Sequence, residues 1–184
     1  MDDAVRMVVE SVRVHMLSSR HVVILKDVER DRYLPIWIGP WEASAIAMKL
    51  QGLAPERPLT HDLFVATLEQ LGARIDRVVI SELADETFHA RLYVARDDKV
   101  FEIDARPSDA LALAVRTDVP IFAAAAVLDQ AALGTDGNLG DEEGDESGSA
   151  LEATGERVVD PRLDVFRDFV NSLDVDAEGE GRTS

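Results

Sequence analysis

The 184-residue chain has no cysteine, which excludes disulfides, thiol catalysis and thiolate metal sites. Its net charge of −17 argues against tight phosphate binding, but residues 1–133 carry 15 Lys and Arg against 21 Asp and Glu, whereas residues 134–184 carry 4 against 15. The length suits one well-buried domain followed by an acidic tail, and is short for two independent cores.

Val5 to Met16 and His21 to Val28 are β-branched, loosely alternating runs that predict two strands around a turn at residues 18–20. The opening MDDAVRMVVESVRV is broken by charges and fits neither a signal peptide nor a membrane span, so a cytoplasmic chain without membrane contact is expected. Tyr33 to Ile38 predicts a third strand, ending at Gly39-Pro40, and Trp41 to Leu50 a helix stopped by Gly52. In the following RPLTHDLFVATLEQLG, Thr60 reads as an N-cap, with Leu63, Phe64, Leu68 and Leu71 as the apolar stripe and Gly72 as the stop. Arg74 to Leu83, Thr87 to Ala95 and Val100 to Ala105 predict three more strands. Arg106-Pro107 opens another helix, Pro120-Ile121-Phe122 breaks it, and Ala124 to Leu133 predicts a weaker last helix.

Ile103 to Ala114, IDARPSDALALA, echoes Ile36 to Ala47, IWIGPWEASAIA, at an offset of 67 without a gap: Pro40 matches Pro107, Glu42 matches Asp109, Ala43 matches Ala110 and Ile46 matches Leu113. The expected fold is therefore α+β, two β3α2 units joined in one continuous sheet over residues 1–133. Residues 134–158 form an acidic, Gly-rich linker with six glycines, eight acids and no Lys or Arg between Gly134 and Glu156. An amphipathic helix is predicted over 159–175, with Leu163, Phe166, Phe169, Val170 and Leu173 on one face, and a disordered tail over 176–184. That helix docks either on the domain or in a partner groove.

Several residues can carry chemistry, and each has a plainer explanation. Glu42 and Asp109 would suit a divalent cation, yet both fall near the third position of a helix, where a carboxylate is locally favourable. His61, at a helix start beside Asp62, is the histidine best placed for proton transfer, whereas His15, His21 and His89 lie in strand-like runs. Arg57-Pro58 and Arg106-Pro107 each place a guanidinium before a helix, which suits a phosphate; the alternative is an internal ion pair, such as Arg106 with Glu42 or Arg57 with Asp109. There is no Gly-rich phosphate loop, HExxH or GxSxG motif, and no basic stripe interleaved with aromatics. With only ten aromatic residues, a base-stacking platform is not expected.

Taken in order, PIWIGPWEASAIAMKLQG, RPLTHDLFVATLEQLG and IDARPSDALALA resemble the bifunctional nuclease domain family over roughly residues 5–133. The resemblance implies an α+β fold of two β3α2 repeats sharing a barrel-like mixed sheet, and nuclease activity on RNA and DNA. The positions that match are Glu42, Arg57, Thr60, His61, Asp62, Asp104, Arg106, Ser108 and Asp109. The leading expectation is hydrolysis of RNA and single-stranded DNA, with His61, Asp62 and Asp109 catalytic and Arg57, Arg106 and Ser108 on phosphate. Glu42, Asp104 and Asp109 would hold Mg²⁺ or Mn²⁺ in a homo-oligomer, a dimer being the simplest. The alternatives are a non-enzymatic module that binds a phosphorylated or anionic ligand, and a structural oligomerisation domain in which every polar motif is a cap or an ion pair. The acidic tail replaces the partner-binding segment found in some members.

Overall fold

The computed structural model describes residues 4–15 and 20–134; the predicted linker beyond Gly134, the 159–175 helix and the 176–184 tail lie outside the described residues. The strands are β1 (Ala4–His15), β2 (Arg20–Asp27), β3 (Arg32–Ile38), β4 (Ala73–Ala84), β5 (Thr87–Arg96), β6 (Lys99–Ala105), β7 (Ile121–Ala124) and β8 (Leu133–Gly134). The helices are α1 (Pro40–Leu50), α2 (Thr60–Gln70), α3 (Pro107–Thr117) and α4 (Ala125–Ala131). All eight strands form one mixed sheet in the order β6-β5-β4-β7-β1-β2-β3-β8. Among the described residues only β4 and β7 pair in parallel.

Three features depart from expectation, the first being that the helix predicted over Ala124 to Leu133 is confined to Ala125–Ala131, with Ala124 ending β7 and Leu133 in β8. The segment expected only to break the helix, Pro120-Ile121-Phe122, leads into β7, which pairs with β1 on one side and β4 on the other and joins the two halves of the sheet. The sheet is also open, not barrel-like. Among the described residues β6 pairs only with β5, and the two-residue β8 pairs only with Arg32 and Tyr33, so neither edge reaches the other.

Period-two alternation gives the sheet two different faces. Met7, Leu25, Leu34, Ile36, Val78, Ile80, Leu92 and Ile121 form the core face, packed with Ile46 of α1, Ala110 to Ala114 of α3, Val65 and Leu68 of α2, and Val127 and Leu128 of α4. The predicted α2 stripe is thus only partly buried. Leu63, Phe64 and Leu71 are exposed, because α2 turns Val65 and Leu68 to the core instead.

Pro40 and Pro107 each occupy the first helical position directly after a strand, where proline's fixed φ suits the helix and its missing N–H costs nothing. Gly52 and Gly72, with φ of +69° and +70°, follow the ends of α1 and α2 in the left-handed region. The β2–β3 turn is tied by Asp27, only 1% exposed. Its carboxylate accepts hydrogen bonds from the Glu29 and Arg30 N–H groups at 2.9 and 3.3 Å and from Arg32 Nε and Nη2 at 3.1 and 2.9 Å.

Candidate active site at three helix starts

The starts of α1, α2 and α3 each carry an acid at the third helical position: Glu42, Asp62 and Asp109. Such acids are favoured by the positive end of the helix dipole, so the local sequence alone would place them there. Their partners distinguish them. Asp62 reaches back to its own helix start, accepting the Leu59 N–H at 2.9 Å, so Leu59 is the N-cap and Thr60, predicted to cap, is the first helical residue. Glu42 and Asp109 instead share one cation: Arg106 Nη2 lies 3.0 Å from Glu42 Oε1, and Arg106 Nε donates to Asp109 Oδ2 at 2.7 Å.

Asp109 also binds His61, whose Nε2 lies 3.3 Å from Oδ1. A hydrogen bond there requires Nε2–H, which leaves Nδ1 as the nitrogen able to take a proton in the neutral ring. A continuous relay therefore runs His61–Asp109–Arg106–Glu42 across all three helices. Asp109, and secondarily Glu42, hold the Arg106 guanidinium more firmly protonated than usual.

A strut that the sequence did not reveal sets the angle of α2. The Arg116 side chain, 6% exposed, donates from Nε to Asp62 Oδ1 at 2.8 Å, from Nη1 to Ala112 O at 2.9 Å and from Nη2 to Ala45 O at 3.2 Å. Burial works to raise the Asp62 pKa, but the bonds from Leu59 and Arg116 bring it below the ordinary value. Asp62 therefore ties the α2 start, and with it His61, to Arg116 of α3.

The remaining predicted residues are scattered. Arg57 is exposed in the loop before α2 and makes no ion pair among the described residues, so the pairing with Asp109 is absent while the pairing of Arg106 with Glu42 is present. Ser108 is buried. Asp104 sits on β6 opposite Arg91 and binds its Nη1 at 2.8 Å, on the sheet face away from the core. Glu42, Asp104 and Asp109 are thus not brought to one point, the place between Glu42 and Asp109 is taken by the guanidinium, and no group of three or more acids and histidines among the described residues is arranged to hold a metal. As arranged, these donors do not fit a divalent cation. His21 and His89 lie in β2 and β5 as expected, and His15 in β1. Trp41, at the second position of α1 beside Glu42, is 83% exposed, a large ring left in water that the helical pattern alone did not flag.

Gly39 has a specific role here. A Cβ at this position would collide with Glu42 Oε2, so the glycine lets the carboxylate fold back over the helix start. Because the obstacle is the end of a flexible side chain, Gly39→Ala is expected to leave stability within ~0.5 kcal/mol of wild type, as thermal melting will show. It should turn Glu42 away from Arg106 and weaken by about threefold to tenfold whatever function depends on that charge-assisted hydrogen bond.

Fold and site together define an α+β domain with a histidine–carboxylate–arginine relay at three helix starts. The chain belongs to the bifunctional nuclease domain family, which matches residues 23–136. An uncharacterised protein of Mycobacterium tuberculosis is 39% identical over 168 residues, spanning 91% of this chain and 94% of the relative. Bifunctional nuclease 1 of Oryza sativa subsp. japonica and the bifunctional nuclease of Oryza minuta are 26% identical over 114 residues, 60% of this chain but only 34% of each plant protein. No helix among the described residues is long and apolar enough to cross a membrane.

Proposed function

We propose that the domain is a nuclease that hydrolyses phosphodiester bonds of RNA and single-stranded DNA at the His61–Asp109–Arg106–Glu42 relay. The observation that carries this reading is the bond between His61 and Asp109, residues 48 apart in sequence and on different helices, with Asp109 held in turn by Arg106. In this reading His61 Nδ1 takes the proton of the attacking water while Asp109 fixes the tautomer and orientation of the ring. Arg106, whose side chain is 67% exposed, keeps its Nη1 donors for a phosphoryl oxygen, and Arg57 supplies a second guanidinium. The exposed Trp41 ring offers a stacking surface for a base beside the phosphate.

Single-turnover cleavage of end-labelled RNA and single-stranded DNA, with Mg²⁺, with Mn²⁺ and with chelator, tests both the activity and its cation requirement. Cleavage by wild type that is lost in His61→Ala is the expected result. Cleavage that persists in that variant would point to a contaminant.

One observation favours a second reading, an anion-binding module without catalysis: Arg57 is exposed and makes no ion pair among the described residues, and the Arg106 side chain is 67% exposed, so guanidinium N–H groups remain for an anion without any proton transfer. In that case the wild type binds short anionic ligands and cleaves nothing.

The tail should act on either function through charge. Deleting residues 135–184 removes most of the negative charge of the chain and should tighten nucleic-acid binding at low salt, with the gain shrinking as salt screens it. Equal affinity of the two forms in a low-salt titration would refute a role for the tail charge.

A further inference from the structure

The sheet face turned away from the core collects side chains that lie far apart in sequence. Strand register places Arg6 opposite Phe122, Val79 opposite Phe122 and Arg91, and Arg77 opposite Tyr93. On the other half, Lys26 faces Tyr33, Val22 faces Trp37 and Ile24 faces Pro35. Each ring is paired with a cation: Arg77 lies 3.8 Å from the Tyr93 ring centre, Arg20 4.5 Å from Trp37, Lys26 5.3 Å from Tyr33 and Arg6 5.5 Å from Phe122. None of these rings belongs to the hydrophobic core.

The two halves differ in charge. Toward β6, Arg77 is paired with Asp76, and Arg91 with Glu102 and Asp104. On the four strands β7-β1-β2-β3, Arg6 and Arg20 make no ion pair among the described residues, whereas Lys26 lies 3.7 Å from Asp31, hydrogen-bonds Tyr33 and has Glu10 nearby. Val22 and Pro35, both half-buried, lie between them, with Ile24 buried beneath. A guanidinium stacked on a ring keeps its in-plane N–H groups free, and its outer plane can take a further π system.

We propose that the outer face of β7-β1-β2-β3 binds single-stranded nucleic acid, with Arg6, Arg20 and Lys26 on phosphates and bases stacked over the cation-capped rings of Phe122, Tyr33 and Trp37. A four-stranded sheet face is large enough to stack two or three bases. Charge selects the occupant: Arg6 and Arg20, without an ion pair among the described residues, face outward on a domain that is otherwise mildly acidic, and the stacked rings suit bases that are free of a duplex. The choice of nucleic acid rests on the nuclease reading, but the surface lies across the sheet from the helices that carry His61 and Asp109, so binding here can be separated from cleavage there.

The test is fluorescence anisotropy of labelled oligo-U and oligo-dT over a salt series with the full chain and with His61→Ala, using duplex RNA of equal length and phosphatidylserine vesicles as comparisons. Arg6→Ala/Arg20→Ala is expected to weaken oligo-U binding at least tenfold and to flatten the log–log salt slope by about 1.4, two contacts at ~0.7 each for a single strand. Trp37→Leu should weaken it about fivefold or more while leaving the slope unchanged. Wild-type affinity in both variants, preference for duplex, or binding of vesicles without binding of oligo-U would each overturn the proposal. Should the double variant fail to fold, Trp37→Leu alone decides. Binding that depends on these residues without any cleavage would sustain this surface and overturn the nuclease reading; cleavage and binding indifferent to all three would do the reverse.

Discussion

Asp109→Asn is expected to cut single-turnover cleavage by ~100-fold or more, the scale of one lost electrostatic element at a reacting phosphate, while leaving the melting temperature nearly unchanged. The carboxylate is bound on both oxygens, by His61 Nε2 at Oδ1 and by Arg106 Nε at Oδ2. An amide preserves the shape and one acceptor, but its NH₂ must face either the guanidinium, which is only a donor, or the imidazole, which then turns to the tautomer with its N–H on Nδ1 and has no lone pair there to take a proton. The relay therefore breaks at its centre. If Asp109 served only to favour the start of α3, activity would stay close to wild type and stability would change by at most ~1 kcal/mol. The two explanations are separated by measuring rate and melting on the same preparation.

Asp27→Ala should have the largest effect on stability, a loss of ~3 kcal/mol in denaturant unfolding. The residue sits on the core face opposite Met7, and its removal strands Arg32, 24% exposed, together with two turn N–H groups. The pH dependence has a definite sign. Burial works to raise the Asp27 pKa, but the Glu29 N–H and Arg32 outweigh it and the folded value lies below the unfolded one. The stabilisation is then fully present above the unfolded carboxylate value of about 3.9 and is lost as pH falls through the folded value. The gap between wild type and Asp27→Ala should be widest near neutrality and close in strong acid. A gap independent of pH would contradict this account.

What could be read from the sequence follows from the range of the interaction responsible. The bounds of β1 to β6 and of α1 to α3 came through within a residue or two because alternation, Pro40, Pro107, Gly52 and Gly72 are local signals, and the structure places each of these prolines and glycines at a helix end. The pairing of Arg106 with Glu42 was legible as an alternative because both belong to helix-start motifs. Strand β7 was missed because four residues after a proline carry too little pattern to separate a strand from a break, and its place between β1 and β4 is set by partners distant in sequence. Arg116 was missed for a related reason: as the basic residue in the last turn of α3 it looks like an ordinary helix-end charge, and only packing of the three helices buries it against Asp62 and Ala45 O. Asp104 was grouped with Glu42 and Asp109 through the resemblance of its motif, but strand alternation turns it to the opposite face, toward Arg91. The aromatic and cationic side chains of the outer face form no stripe along the chain, and strand register alone assembles them.

The central claim is that His61 and Asp109 act as one unit, and the single-turnover cleavage rate of the double variant His61→Ala/Asp109→Asn tests it most directly. Groups that act together lose their function together, so the double variant should cleave RNA about as slowly as His61→Ala alone, itself down roughly 100-fold or more. Losses that multiply, or wild-type rates in either single variant, would show that the two residues do not form a catalytic pair.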